Sequence, residues 1–447
     1  MTHGARHVPS MPTPPSLAGM KVTVVGLGRF GGGIGATKWL CSQGARVTVS
    51  DKADPDELAE SIRALEGLDV ALHLGAHHES DFTGAELLVI SPAVPGDLPQ
   101  LRAATKAGVP RTSEINLLLE RCPAPVVGIT GSVGKSTTTA MAGRILAGRY
   151  CTHVGGNIGK SLLESLPDIQ GDHVVVLELS SFQLEDLPLI GISPHVALVT
   201  NLQPNHLDRH GTMDAYAQAK QNIFRYQTDR DTLILNAADA EVTTWASQAP
   251  GRVTFFNPVD EPFELSIPGA HNQANAQGAW AIAREFDVER DQAAEALRTF
   301  AGLPHRLQFV CERQKVRYFN DSKCTTPAGA IVALEAFEPG RAVIIVGGYD
   351  KNVSFDALGA AIAQRAKAVI AIGATRAQII ASVEAHRNGP APAVAAADDL
   401  ASAVELADEH ANAGDVVLLS PACASYDMFT NYEQRGELFE RLVRCRG

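Results

Sequence analysis

The chain has 447 residues, 45% of them hydrophobic and 20% charged, with a formal net charge of −12. That length exceeds what one hydrophobic core organises and predicts about three domains, and the composition excludes a disordered or fibrous chain. The acidic balance excludes a general affinity for nucleic acid or for anionic membranes, because both need clustered Lys and Arg.

Seven scattered cysteines, odd in number and without a Cys-x-x-Cys pair, fit a reducing cytoplasm and argue against structural zinc. The first nineteen residues, 1–19, are rich in Pro, Ser and His and read as a floppy tail without the apolar core of a secretory signal. No apolar run reaches the roughly 18 residues of a membrane span, so no membrane insertion is expected.

After the tail, a strand over 21–25 ends in glycines, a helix follows over 36–43 and a second strand over 47–49, which makes a βαβ opening. A buried strand over 86–90 and a helical stretch over 101–107 lead to a break near 111–113, closing a first domain of 20–113. A second begins with a strand over 126–130, a glycine loop and a helix over 135–146. It continues with strands over 174–177, 195–200 and 232–235 and a helix over 215–224. From 303 to 447 the alternation resumes, with strands over 316–319, 342–346, 368–372 and 416–419 between helices over 328–336, 355–365 and 400–411. The predicted class is therefore α/β: a Rossmann-like N-terminal domain, a central P-loop ATPase-type parallel sheet over 114–302, and a Rossmann-like C-terminal domain.

The run Gly131, Ser132, Val133, Gly134, Lys135, Ser136, Thr137 joins a buried strand to a helix. Such a turn aims backbone N–H groups and the positive helix end at one point, which suits a phosphate. Lys135 adds a mobile charge for β- and γ-phosphate oxygens and Ser136 a hydroxyl for Mg²⁺. Only two residues separate Gly131 from Gly134, fewer than in the commoner phosphate loop.

An earlier glycine loop, Gly26-Leu27-Gly28-Arg29-Phe30-Gly31, matches a dinucleotide fingerprint, and Asp51 ends the next strand where a ribose-binding acid would sit. NAD(P), another nucleotide-linked ligand and a structural turn all stay open for it. Glu178, at the end of an apolar strand, suits Mg²⁺ or a helix N-terminus; His206 suits a metal, a phosphate or a structural role, with His210 placed at the surface. Lys220 on its helix reads as solvated, Arg306 as a γ-phosphate contact or a turn residue, and Asp321 as a ribose acceptor or a cap. Lys351 and Ser425 stand at strand ends that could bind a small acid or simply turn the chain.

In this order the segments resemble the Mur ligases of peptidoglycan synthesis. The carriers are Gly131 to Thr137, Gly155-Gly156-Asn157-Ile158-Gly159, Leu177 to Glu185, His271 to Asn275, Leu303 to Arg306, Asp321-Ser322-Lys323, and Ser420 through Tyr432 to Gly436. The resemblance covers nearly everything after residue 20. It implies an ATP-dependent, amide-forming enzyme that adds D-glutamate to UDP-N-acetylmuramoyl-L-alanine through an acyl phosphate, with Mg²⁺, as a cytoplasmic monomer.

Residue by residue, the resemblance assigns Gly28, Arg29, Phe30, Asp51, Lys52, Ser91 and Asn157 to the UDP substrate. It assigns the loop 131–137, Asn272, Asn275, Arg306 and Asp321 to ATP, and Ser136, Glu178, His206 and a carbamylated Lys220 to metal. Lys323, Thr325, Lys351, Ser425, Tyr426 and Tyr432 fall around the incoming amino acid, and Lys135, His206, Lys220 and Arg306 carry the catalysis. Three departures stand out: Ser132-Val133 where the family carries Thr-Asn, Asn205 where relatives have an acid before the histidine, and the extra glycines of Gly31-Gly32-Gly33. Other readings are a related ligase for L-glutamate or another amino acid, an NAD(P)-dependent oxidoreductase, and a non-catalytic nucleotide-binding regulator.

Overall fold

Short β-branched and leucine-rich runs, buried on both faces, build three sheets in the computed structural model, which describes residues 14–28, 31–351 and 353–445. The first sheet holds β1 (Lys21–Val25), β2 (Arg46–Asp51), β3 (Val70–Leu74), β4 (Leu87–Ile90) and β5 (Arg111–Thr112) in the order β3-β2-β1-β4-β5. The second holds β6 (Val126–Thr130), β7 (Thr152–Gly156), β8 (Val174–Glu178), β9 (Val196–Val199), β10 (Thr232–Asn236) and β11 (Arg252–Phe256) in the order β11-β10-β9-β6-β8-β7. All pairings in these two sheets are parallel.

The third sheet holds β12 (Gln308–Arg313), β13 (Val316–Asn320), β14 (Ala342–Gly347), β15 (Ala366–Ile372), β16 (Ala393–Ala396) and β17 (Val416–Leu419) in the order β12-β13-β17-β14-β15-β16. Its outermost pair, β12 with β13, is antiparallel. The turn between them is Gln314-Lys315, with φ of 50° and 63° at the two residues, the left-handed pair that a tight two-residue hairpin requires. In every sheet the order reverses beside one central strand, and open α/β sheets place their ligands at the carboxyl side of such a point.

The chain divides into two compact units, Met1–Pro262 with Ala274–Ala296, and Phe263–Gln273 with Leu297–Gly447. The first unit carries the first two sheets, and one buried cluster runs through both, from Leu17, Val49 and Trp39 to Leu118, Val126, Leu177 and Trp245. The helix Glu114–Leu119 joins them: Ser113 caps it by accepting from the Asn116 N–H, and Ile115, Leu117, Leu118 and Leu119 are all buried. Full burial of one such leucine contributes roughly 1.5–3 kcal/mol. The tail expected over 1–19 falls outside the described residues up to position 13; within it, Leu17 belongs to the core and Gly19 N–H donates to the Gly44 carbonyl, so these residues are packed and do not belong to a floppy tail. Among the described residues no helix is long and apolar enough to cross a membrane.

Candidate active site

β6 stops at Thr130 and the helix Lys135–Leu146 starts after four intervening residues. Gly131 has φ +140°, and a Cβ there would lie 1.9 Å from Thr200 Oγ1; Gly134 has φ +84°, and a Cβ there would lie 2.4 Å from Asn275 Oδ1. Both positions thus exclude a side chain. The end of β9 grips the loop: Thr200 Oγ1 donates to the Val133 carbonyl (2.7 Å), as does Asn201 Nδ2 (3.0 Å), and Asn201 Oδ1 accepts from the Val133 N–H (3.0 Å). Ser132 Oγ accepts from Gln203 N–H (2.8 Å) and donates to the Gln203 carbonyl (2.9 Å), with the Tyr216 hydroxyl at 3.2 Å. The unusual Ser132-Val133 pair thereby has an account: the serine ties the loop to the segment after β9, and Val133 points outward at 51% exposure.

Lys220, whose sequence reads as solvated, is instead 1% exposed on the helix Met213–Arg225. Its Nζ donates to the Gly131 carbonyl (2.8 Å) and lies 3.5 Å from Thr130 Oγ1, over the Tyr216 ring. Burial, then the charge of Lys135, pushes its pKa down to about 6, against an opposing pull from Glu178. Lys135 Nζ donates to the Ser132 carbonyl (2.9 Å), and Asn275 Oδ1 accepts from Thr138 Oγ1 (3.2 Å). Thr137 is buried and Ser136 half-buried in the first helical turn. The loop, Lys220 and Asn275 are therefore brought together within one unit.

Glu178 ends β8 and is 2% exposed. Its Oε1 accepts from Asn157 Nδ2 (2.9 Å), which pairs a residue assigned to metal with one assigned to the UDP substrate, while its Oε2 is buried without a hydrogen-bond partner among the described residues. A buried, unsatisfied carboxylate oxygen near a hydroxyl-bearing phosphate loop is the donor type that Mg²⁺ takes, so these residues fit that ion.

His206 has φ 53° and sets its ring edge-on to Phe182 at 5.0 Å, on an exposed stretch. His210, expected at the surface, has a side chain only 2% exposed: it contacts Ser181 Oγ (3.0 Å) and Glu185 Oε1 (3.2 Å) and stacks on Phe182. The single-turn helix Leu207–His210 carries that ring back against the segment after β8.

In the first glycine loop, Asp51 Oδ2 accepts from the Leu27 N–H (2.8 Å) and Gly28 N–H (3.1 Å), and Oδ1 from the Ala53 N–H (2.9 Å). The carboxylate is thus already engaged by backbone. Ser91, after β4, packs so close to Gly26 that a Cβ there would meet Ser91 Cβ at 2.9 Å; Lys52 is exposed. Arg29 and Phe30 lie outside the described residues. Of the three adjacent glycines, Gly31 has φ +89° and Gly33 would place a Cβ 2.4 Å from the Leu27 carbonyl, whereas Gly32 faces open space.

In the second unit, Arg306 is exposed in a turn whose neighbours His305 and Leu307 have φ of 60° and 43°. Asp321 holds that turn: Oδ1 accepts from the Leu307 N–H (3.0 Å) and Oδ2 from Ser420 Oγ (2.7 Å). Burial raises its pKa to about 6, the Ser420 hydrogen bond opposing. Asn272 Nδ2 donates to the Pro268 carbonyl (2.7 Å). Lys323 Nζ lies 5.5 Å from the Tyr432 ring centre and Tyr426 stands edge-on to Tyr349 at 6.2 Å. Ser425 is buried, Thr325 half-buried and Lys351 exposed.

Arg435 lies in a segment that carries the resemblance but has no role from the sequence; it is 1% exposed and donates from Nε to Ser322 Oγ (3.0 Å) and from Nη2 to the Ser322 (2.8 Å) and Cys423 (3.1 Å) carbonyls. It thereby clamps the loop after β13 to the loop after β17. The signal was available: Arg435 shares the apolar face of the helix Tyr432–Arg444 with Phe439 and Val443, at helical spacing. Tyr216, which sequence reasoning missed, lies one turn before Lys220 on the same helix face.

Residues 20–113 match the Mur ligase MurD-like N-terminal domain, 129–261 the Mur ligase middle domain, and 305–423 the Mur ligase glutamate ligase domain. The chain is 40% identical to the UDP-N-acetylmuramoylalanine--D-glutamate ligase of Symbiobacterium thermophilum, covering 96% of this chain and 100% of that protein. It is 39% identical to the ligase of the same name from Roseiflexus sp., covering 96% and 99%. Among solved structures, the UDP-N-acetylmuramate-alanine ligase MurC of Thermotoga maritima superposes with a TM-score of 0.59 at 21% identity, over 96% of this chain and 100% of that one. The MurF ligase of Thermotoga maritima in complex with ADP gives 0.57 at 16%, over 96% of each. At such identities these two likenesses speak for the fold.

Proposed function

The chain belongs to the Mur ligase family, and from that premise we propose that it uses ATP to join D-glutamate to UDP-N-acetylmuramoyl-L-alanine, an amide-forming step in peptidoglycan precursor synthesis. The observation that carries the reading from the site is the buried Lys220, hydrogen-bonded to the phosphate loop and set against Lys135 and Glu178.

A carboxylate does not react with an amine near neutrality, because it would have to expel oxide. In the proposed sequence a substrate carboxylate oxygen attacks the γ-phosphorus of ATP, the bond to the bridging oxygen breaks, and ADP leaves with the electron pair. The glutamate nitrogen then attacks the acyl carbon, inorganic phosphate leaves, and the nitrogen loses a proton to solvent. Lys135 and the N–H groups of the loop 131–137 hold the phosphates and offset the charge gathering on the γ-phosphoryl oxygens.

The Lys220 amine, kept unprotonated by burial, takes up CO₂ with loss of a proton, turning a would-be cation into a carbamate anion. Ser136, Glu178, His206 and that carbamate are the residues that would hold Mg²⁺, which supplies positive charge to the triphosphate when bound. Asn272, Asn275, Arg306 and Asp321 are assigned to the nucleotide. Lys323, Thr325, Lys351, Ser425, Tyr426 and Tyr432 are assigned to the amino acid. Gly28, Arg29, Phe30, Lys52, Ser91 and Asn157 are assigned to the UDP substrate, with Asp51 acting through the loop it holds. Seven free cysteines, two of them exposed, support a reducing cytoplasm, and one chain is taken as the working unit.

The purified chain with ATP, Mg²⁺, UDP-N-acetylmuramoyl-L-alanine and a panel of amino acids, followed by ADP release, tests the reading. D-glutamate should stimulate release most. Silence with every amino acid would remove the ligase assignment, and a stronger response to L-glutamate would move it to a related ligase.

A further inference from the structure

At the end of the second sheet opposite the phosphate loop, three soft or borderline ligand atoms converge that the ligase reaction does not use. Cys151 and His153 flank Thr152 at the start of β7, so the two-residue strand period turns both side chains to one face. His173 immediately precedes β8, and the parallel register that pairs Thr152 with Val174 sets it beside Cys151. Cys151 Sγ lies 3.8 Å from His153 Nε2, which lies 3.0 Å from His173 Nδ1, and each of the three residues offers one ligand atom within 4.8 Å of the others; the Gln170 N–H also donates to His173 Nδ1 (3.2 Å), a contact that a bound ion would displace.

Bond lengths of about 2.0–2.1 Å to nitrogen and about 2.3 Å to sulfur at a tetrahedral centre would separate two nitrogens by about 3.3 Å and sulfur from nitrogen by about 3.6 Å. The Cys151–His153 and His153–His173 separations differ from these by a few tenths of an ångström, and the third pair closes to within 4.8 Å. Asp172 Oδ1 stands 3.9 Å from the far nitrogen of His173, too far for a hydrogen bond but near enough to add negative charge beside the cluster.

We propose that Cys151, His153 and His173 form a zinc-class site of one thiolate and two imidazoles, with its fourth position open to water. A soft thiolate with two imidazoles selects Zn²⁺ over the Mg²⁺ of the phosphate loop, which prefers oxygen. The missing Cys-x-x-Cys pair hides the site from the sequence, because the third ligand is supplied across the sheet. β7 is an edge strand whose one strand partner among the described residues is β8, and the ion cross-links their leading ends. The same two strands carry Asn157 and Glu178 at their trailing ends, so the ion fixes the register on which that contact depends.

The test is Co²⁺ titration of the metal-stripped full chain. The expected result is the visible absorption of tetrahedral cobalt with a thiolate charge-transfer band in the near ultraviolet, both erased by one equivalent of Zn²⁺. Cys151→Ser should remove the charge-transfer band, while Cys445→Ser, at the other exposed cysteine, should leave it. His173→Gln should weaken binding by more than the roughly 10–100-fold that loss of an outer partner brings. In parallel, Zn²⁺ should raise the thermal midpoint of the unaltered chain and not of Cys151→Ser or His173→Gln, whose metal-free midpoints report that they fold. No band in the unaltered chain, a band that survives Cys151→Ser, or an equal thermal response in all three proteins overturns the site.

Discussion

The two glycine loops of the first unit are built alike and closed by opposite chemistry. Each follows a buried strand, bends through glycines of positive φ and enters a helix. The first is closed by a carboxylate, Asp51, which accepts three backbone N–H groups at the end of β2. The second is closed by the neutral side chains of Thr200 and Asn201 at the end of β9, and two lysines, Lys135 and Lys220, donate to its carbonyls. A loop read by itself therefore leaves its ligand undecided, and the charge brought by the neighbouring strand or helix makes the difference. An anion is drawn to the second loop by Lys135, whereas in the first the Asp51 carboxylate is already held by the backbone N–H groups of its own loop.

The largest break in this comparison is at Lys135. Lys135→Ala should lower substrate-stimulated ADP release by about 10³-fold, as removal of a cation from a phosphoryl-transfer site does, with an unchanged circular dichroism spectrum. Substantial remaining turnover would take the residue out of the mechanism. Lys220→Gln should come next, with kcat down by about 10²-fold or more and a milder change in ATP affinity, because the neutral amide keeps a donor to the Gly131 carbonyl but takes up no CO₂. Equal activity at depleted and at added bicarbonate in the unaltered protein would sink the carbamate.

Asp51→Asn turns an N–H group toward backbone donors, and should cost about 2 kcal/mol of stability in urea unfolding and raise KM for the UDP substrate more than it lowers kcat. An unaltered midpoint and KM would show the first loop to be indifferent to its closing charge.

The smallest effect concerns the joint between the two loop scaffolds. Burial lifts the Glu114 carboxyl from 4.5 to about 7, against the hydrogen bond from Ser161 Oγ at 2.6 Å. The folded chain holds a proton there that the unfolded chain releases near pH 4.5, so stability falls as pH rises from about 4.5 to 7. Glu114→Gln should flatten that slope, by on the order of 1–2 kcal/mol at neutral pH. An unchanged pH profile would leave the joint without this titration.

Strands buried on both faces were the most legible part of the fold: β6, β8, β9, β14 and β17 are continuous apolar runs, and their expected bounds agree with the observed ones to within a residue. The strands that escaped notice are those whose side chains are half-exposed or small. β3 reads VALHL, β7 reads THVGG and β16 is a partly exposed alanine-rich run at a sheet edge. The helix Ala270–Arg284 was hidden by its Asn, Gln and Gly content.

Of the site, local geometry was legible and burial was not. The strand-to-helix turn at Gly131 follows from sequence, but the enclosure of Lys220 depends on Tyr216 one turn earlier and on Thr130 ninety positions away. His210 misled for the same reason, since its partners Ser181 and Glu185 belong to another strand end. The third ligand of the Cys151 cluster, His173, comes from a neighbouring strand that no spacing rule foretells.

Tyr216 has a consequence of its own. Its ring lies 4.5 Å from Lys220 Nζ and its hydroxyl 3.2 Å from Ser132, in surroundings that burial makes almost dry. The face of an aromatic ring attracts a positive neighbour and repels a negative one. Conversion of the lysine to an anion must therefore perturb the absorption of this one phenol, which gives the protein a built-in optical gauge of the chemical state of Lys220 that can be followed without substrate or label.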